Sequence, residues 1–425
     1  MKKSFYRSTA AVLAAGICTA TLAGCTTGDA GLSKGTKSLT GGYETAAADT
    51  GAALEESFGE SYADFALRLF QKSYDSGQNT MISPYSVMMA LAMAANGAQG
   101  ETLAQMERVL GGETTLEDLN GQLSLLKSRM PDGEGGRLLT ANSIWYRSND
   151  DNFEPREDFL SYNAKHYGAE IFAAEFDGDT LDDINRWVSE HTDSMIEDIL
   201  DRIPEDALMY LINAVAFDAE WEDAYETNQI HDAQFSGADG TVTTVPMMYS
   251  EENGYLKEEH ASGFIKPYRE GYRFVALLPE EGMELGDYIS QMSGEAFLET
   301  LANADNIAVE AGLPKFEAET KLELSKLLAA LGMADAFDEE DADFSGMGSC
   351  KDGSNIYISR VIHQTHISVD ELGTKAGAAT AVEMVGEAAM LETEQVILDR
   401  PFVYAIVENE SNLPVFIGAV DAIGE

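Results

Sequence analysis

Residue types able to act as nucleophiles, metal ligands or general bases are sparse in this sequence. It has 3 cysteines and 6 histidines in 425 residues. Cys18 and Cys25 fall within the first 25 positions, which leaves Cys350 alone in the body. A lone thiol closes no disulfide there, and a Cys-rich zinc site is excluded with it. There is no His-Glu-x-x-His pair for zinc, no Gly-x-x-x-x-Gly-Lys phosphate loop and no dinucleotide glycine fingerprint. Carboxylates are the opposite case. With 74 acidic against 27 basic residues and a net charge of -47, pairs such as Asp182-Asp183 carry no information about acid–base catalysis. Asp341-Ala-Asp343-Phe-Ser345-Gly346, with Asp352 at position twelve, partly copies a calcium loop. Gly348 stands where such a loop has an apolar residue, and position twelve is Asp rather than Glu. No metal or other cofactor is expected. The charge also repels a phosphate backbone and anionic lipid head groups, so nucleic acid is excluded as a partner.

The first residues read as an address. Lys2, Lys3 and Arg7 precede the small, apolar run Ala10–Ala23, and Leu22-Ala23-Gly24-Cys25 follows. A basic start, a short apolar segment and a small-residue cleavage site make a bacterial secretory signal over residues 1–24. The last four residues look like a lipobox, which puts a lipid on Cys25. Residues 25–55 are rich in Gly, Thr, Ala and Ser and read as a flexible tether. Residues 56–425 carry no Pro/Gly-rich linker and no internal repeat, and read as one unit.

The elements of that unit are mixed. Ser83-Pro84 is a helix start, with Ser as cap and Pro at the first position, and the Ala- and Met-rich Val87–Asn96 that follows must be buried on several sides. Thr180 with Asp183 resembles a capping box for a second helix. Ala207–Phe217, Tyr272–Pro279, and the pair Phe402–Val407 and Val415–Val420 read as buried strands. The class is α+β, with large, mainly antiparallel sheets.

Residues 371–398 differ from everything else. Alternate positions from Thr374 are Ala376, Ala378, Thr380, Val382 and Met384, all uncharged, while Lys375 and Glu383 fall on the other parity. That is the pattern of a strand with one buried face. Yet the segment is rich in Gly and Ala, poor strand formers. A chain exposed as a loop in one state and inserted as a strand in another would look like this.

Glu371, Gly373, Thr374, Ala376, Ala378 and Thr380 resemble the reactive-loop hinge of the serpin family. Asn79 to Ser86, Asn185 to Thr192, Leu211 to Trp221, Val245 to Met248, Leu313 to Phe316, Ala342 to Gly346 and Arg400 to Gly418 resemble its other motifs, so the likeness spans about residues 57–422. It implies the serpin fold: helices around large sheets, with an exposed reactive loop. It also implies a monomer that is no enzyme, and suicide inhibition of serine proteases. A protease forms an acyl-enzyme with the loop, which then enters the main sheet. Thirteen steps from Thr374 to Glu387 make about 43 Å of new strand. By the same resemblance, Ser83, Ser86, Asn213 and His363 form the polar cluster that controls sheet opening. Counting from Glu371 puts the reactive bond at Glu387–Ala388. Counting back from Pro401 puts it at Met390–Leu391, with Ala388 and Ala389 between. Glu387 would suit a glutamate-specific protease, and Ala388, Ala389 or Met390 an elastase-like or subtilisin-like one, toward which the reading leans. Two alternatives stand beside this reading: a serpin fold used as a binding or scaffold module, and an unrelated enzyme or solute-binding lipoprotein.

Overall fold

In the computed structural model, residues 31–43, 53–133, 135–148, 152–205, 207–374 and 393–424 are described. Cys25, Ala376, Ala378, Thr380 and the bonds from Glu387 to Leu391 lie outside them.

The expected α+β architecture is present. The main sheet orders its strands Lys37–Ser38, Glu170–Ala174, Gly136–Arg147, Met209–Glu220, Gly373–Thr374, Ile362–Val369 and Phe316–Glu323, with Asp132–Gly133 paired to Gly136–Arg147. A second sheet runs Glu394–Ile397, Asp305–Pro314, Val242–Lys257, Ala261–Pro267, Tyr272–Pro279, Phe402–Glu408, Pro414–Val420 and Thr80–Ile82, with Ile230–Ser236 on Val242–Lys257. Most pairs are antiparallel. The exceptions, Glu170–Ala174 on Gly136–Arg147 and Glu394–Ile397 on Asp305–Pro314, are parallel.

The central strand Met209–Glu220 reads as one long apolar run because both of its faces are covered. Ile212 and Ala214 join Trp145, Phe172, Ile184 and Trp187 under an outer helix, Gly178–His191. Val215, Phe217 and Ala219 face the larger core on the other side. A buried helix, Pro84–Ala95, lies in that larger core, as its Ala- and Met-rich sequence requires. Ser83 caps it, accepting from Ser86 N at 3.2 Å.

Two expectations change. The outer helix begins earlier than the Thr180 capping box predicts: Asp177 is the cap, accepting from Thr180 N at 3.0 Å. Asp183 is free for another task. It is 1 % exposed and holds Ser33, whose N lies 3.1 Å from both carboxylate oxygens and whose Oγ donates at 2.7 Å. Residues 31–43, expected within a flexible tether, are therefore docked on the body. Lys37–Ser38 pairs with Phe172 and Ala173 as the outermost strand of the main sheet, and Leu39 N donates to Ile171 O at 2.8 Å. Composition misled here, because a short edge strand needs backbone pairing rather than apolar side chains. The run Gly31-Leu-Ser33-Lys-Gly35 has the letters of a nucleophile elbow. Its serine hydroxyl is taken up by Asp183, and it leads into an edge strand rather than joining a strand to a helix.

Candidate functional site

The site is a slot in the main sheet with a wedge at its mouth. Gly373–Thr374 is a two-residue strand, antiparallel to the central strand (Gly373 opposite Glu220, Thr374 opposite Ala219) and to Ile362–Val369 (Thr374 opposite Val369). The two flanking strands therefore run parallel to each other. Below Thr374 no strand described here lies between them. Each keeps one edge of backbone donors and acceptors facing the gap, which is the condition under which another strand can be added.

The wedge is held from several sides. Thr374 is buried, and its Oγ1 lies 2.5 Å from Tyr268 Oη. Trp221 stacks on the Tyr268 ring with centroids 4.4 Å apart. Its indole N–H donates to Asp370 O and its backbone N to Leu372 O, both at 2.9 Å. Tyr225 N donates to Glu371 O at 2.9 Å, and Asp370 Oδ1 accepts from Leu372 N at 2.8 Å, forming an Asx turn. The Glu371 carboxylate is bonded to Lys315 Nζ, which holds it below the usual carboxylate range. Gly373 is required by contact: a Cβ there would sit 2.0 Å from Ala219 O. The paired backbones approach too closely for any side chain.

Lower in the slot lie the polar residues expected to control opening. Ser83 and His363 meet directly. Ser83 N donates to His363 Nε2 at 2.9 Å, so Nδ1 carries the ring proton, and Ser83 Oγ donates to Val415 O at 2.8 Å. Burial pushes the pKa of His363 down to about 4. Ser86 joins through its backbone N. Asn213 is bonded elsewhere, its Nδ2 donating to Asn142 Oδ1 at 2.6 Å, and Asn142 in turn donates to Tyr167 O at 2.9 Å. Ser86, Asn213 and His363 nonetheless line one cavity of about 360 Å³. The cluster extends to Thr365, whose hydroxyl donates to Met81 O at 2.9 Å. Sequence reading missed Asn142, Thr365 and Tyr268. A polar residue on the buried parity of a strand, as at Thr365, was the available signal. Tyr268 carried none.

Among the described residues no group of three or more His, Cys, Asp or Glu side chains is placed to hold a metal. Asp343 instead accepts from Ser345 Oγ at 2.7 Å.

Comparison with known proteins agrees with this arrangement. A family model described as "Serpin (serine protease inhibitor)" matches residues 60–422. Serpin B8 of Homo sapiens is 33% identical over 84% of this chain and 97% of its own. The leukocyte elastase inhibitor A of Mus musculus is 30% identical over the same shares. Tengpin, a thermophilic serpin whose crystal structure is in the native state, superposes with a TM-score of 0.85. It is 45% identical, covering 91% of this chain and 100% of its own. The slot, its wedge and these matches together place the chain in the serpin family.

Proposed function

We propose that the protein is an irreversible inhibitor of serine proteases that works by inserting its own cleaved loop into the slot. The observation that carries this is the register of the wedge. Continued down the central strand, Thr374 opposite Ala219 brings Ala376 beside Phe217, Ala378 beside Val215, Thr380 beside Asn213 and Met384 beside Met209. Continued along Ile362–Val369, the same count sets Ala376, Ala378 and Thr380 beside Ile367, Thr365 and His363. Those three are buried, whereas Gln364, His366 and Ser368 are only half-buried. The uncharged parity of the loop is thus the one that enters the core, where a charge would be costly. Insertion pairs two open strand edges at once. It also drags the acyl-linked protease away from its working geometry, on which deacylation depends.

The scissile bond is Glu387–Ala388 or Met390–Leu391. No Arg or Lys occurs from Ala376 to Leu398. Trypsin-like targets are therefore disfavoured; Ala388, Ala389 or Met390 suits an elastase-like or subtilisin-like protease and Glu387 a glutamate-specific one, and a relative named for leukocyte elastase supports the elastase-like choice. A lipid on Cys25 anchors the monomer outside the cytoplasm, following Leu22-Ala-Gly-Cys25. The test is incubation with pancreatic elastase, subtilisin and a glutamyl endopeptidase. A complex that survives denaturing electrophoresis, and a released C-terminal peptide whose mass fixes the bond, are expected. Cleavage without a complex by all three enzymes would overturn the reading.

A further inference from the structure

The cavity of about 360 Å³ at the lower end of the slot is more than a gap. Its floor is the buried helix, through Val87 and Leu91, and its two walls are Leu211 on the central strand and Ile362 on the flanking one. Asn213 is among the residues that line it. Its Nδ2 is occupied by Asn142, but its Oδ1 is shut off from solvent and has no hydrogen-bond partner among the described residues. A buried carbonyl oxygen left unpaired is unfavourable, and the asymmetry calls for a donor. Arg360, which also lines the cavity, is paired with Asp201 at 3.3 Å. By volume the space exceeds twice the ~150 Å³ that holds benzene in an engineered apolar cavity, the size of a bicyclic ring system.

We propose that this cavity binds an uncharged, mainly apolar molecule carrying one hydroxyl or N–H donor, which Asn213 Oδ1 accepts once its amide turns toward the cavity, and that occupancy blocks loop insertion. The second half rests on the inhibitory reading above. In the wedge's register Thr380 falls beside Asn213 and His363, so its side chain and the ligand compete for one space. A protease meeting the occupied form completes hydrolysis and leaves, and the inhibitor is consumed as a substrate.

The probes are 2-naphthol and 2-methoxynaphthalene, which share a ring system but differ in the donor. Isothermal titration calorimetry on the intact protein should show 2-naphthol binding at one site, and the methyl ether roughly five- to tenfold more weakly, the loss of one hydrogen bond. Ala90→Leu, which fills the cavity from its lining helix, should abolish binding of both. Saturating 2-naphthol should raise the moles of inhibitor consumed per mole of protease at least threefold for wild type, whereas Ala90→Leu, whose own side chain takes up the space, should show a raised value that the probe does not change. No binding of either probe overturns the site. Equal binding of the two overturns the role of Asn213. Binding with unchanged stoichiometry overturns the competition. If no covalent complex forms even without ligand, the inhibitory reading and the competition fall together, while calorimetry still decides the site.

Discussion

Acidification should weaken the sheet through His363. The ring is buried and accepts Ser83 N–H through Nε2, so only its neutral form suits the site, and its pKa is about 4 against an ordinary 6.5. As pH falls, the unfolded chain takes up the proton first. The stability contributed by the neutral ring is therefore complete above about pH 6.5 and is lost as pH falls toward 4. Between pH 7 and pH 5 the loss is about 2 kcal/mol, out of roughly 3 kcal/mol for the whole separation. His363→Gln isolates the effect, because a glutamine carbonyl can accept from Ser83 N and does not titrate. The assay is urea unfolding followed by tryptophan fluorescence at pH 7 and pH 5, reading the first cooperative transition. Wild type should lose about 2 kcal/mol more than the variant over that interval. Equal losses in the two proteins would refute the assignment of a buried neutral imidazole.

Three further outcomes are expected. Gly373→Ala places a Cβ 2.0 Å from Ala219 O, between two backbones that cannot yield. The wedge should leave the slot, lowering the first transition by about 1–3 kcal/mol and shifting the Trp221 emission. Ala378→Glu sends a carboxylate to the buried position beside Val215 and Thr365, so proteases should still cut the loop but no denaturant-resistant complex should appear on a gel. Asp183→Asn weakens the acceptor for Ser33 N and Oγ. Amide exchange at Leu39, whose N donates to Ile171 O, should speed up about tenfold relative to wild type, consistent with a cost of about 1–2 kcal/mol.

Much of the fold was legible in residue patterns. The capped helix at Ser83-Pro84 and the hairpin now seen at Phe402–Glu408 and Pro414–Val420 follow from capping chemistry and apolar runs. Thr374 is buried, as the parity of the loop required. What the pattern could not show was contact between distant segments. Ser83 and His363 are 280 positions apart, and nothing local joins them. The bond from Tyr268 to Thr374 is hidden for the same reason. Asn213 was grouped with His363, but its amide bonds across the sheet to Asn142, a register pairing that residue types do not encode. The docked stretch around Lys37 has the composition of a linker, and the spacing of Asp183 from Thr180 is that of a cap, so neither residue type reveals their contact.

That docked stretch sets a leash length. With a lipid on Cys25, as proposed, only six peptide units separate the membrane attachment from Gly31, a reach of at most about 21 Å. The pivot is the outermost strand of the main sheet, three strand spacings or about 14 Å from the central strand. The body would hang sideways near the lipid surface instead of standing off on a long stalk. Only one half of the sheet would be gripped. An entering strand widens the sheet by about 4.8 Å and must push its halves apart. With a single gripped half, the far edge is free to swing outward, so anchorage and insertion do not oppose each other.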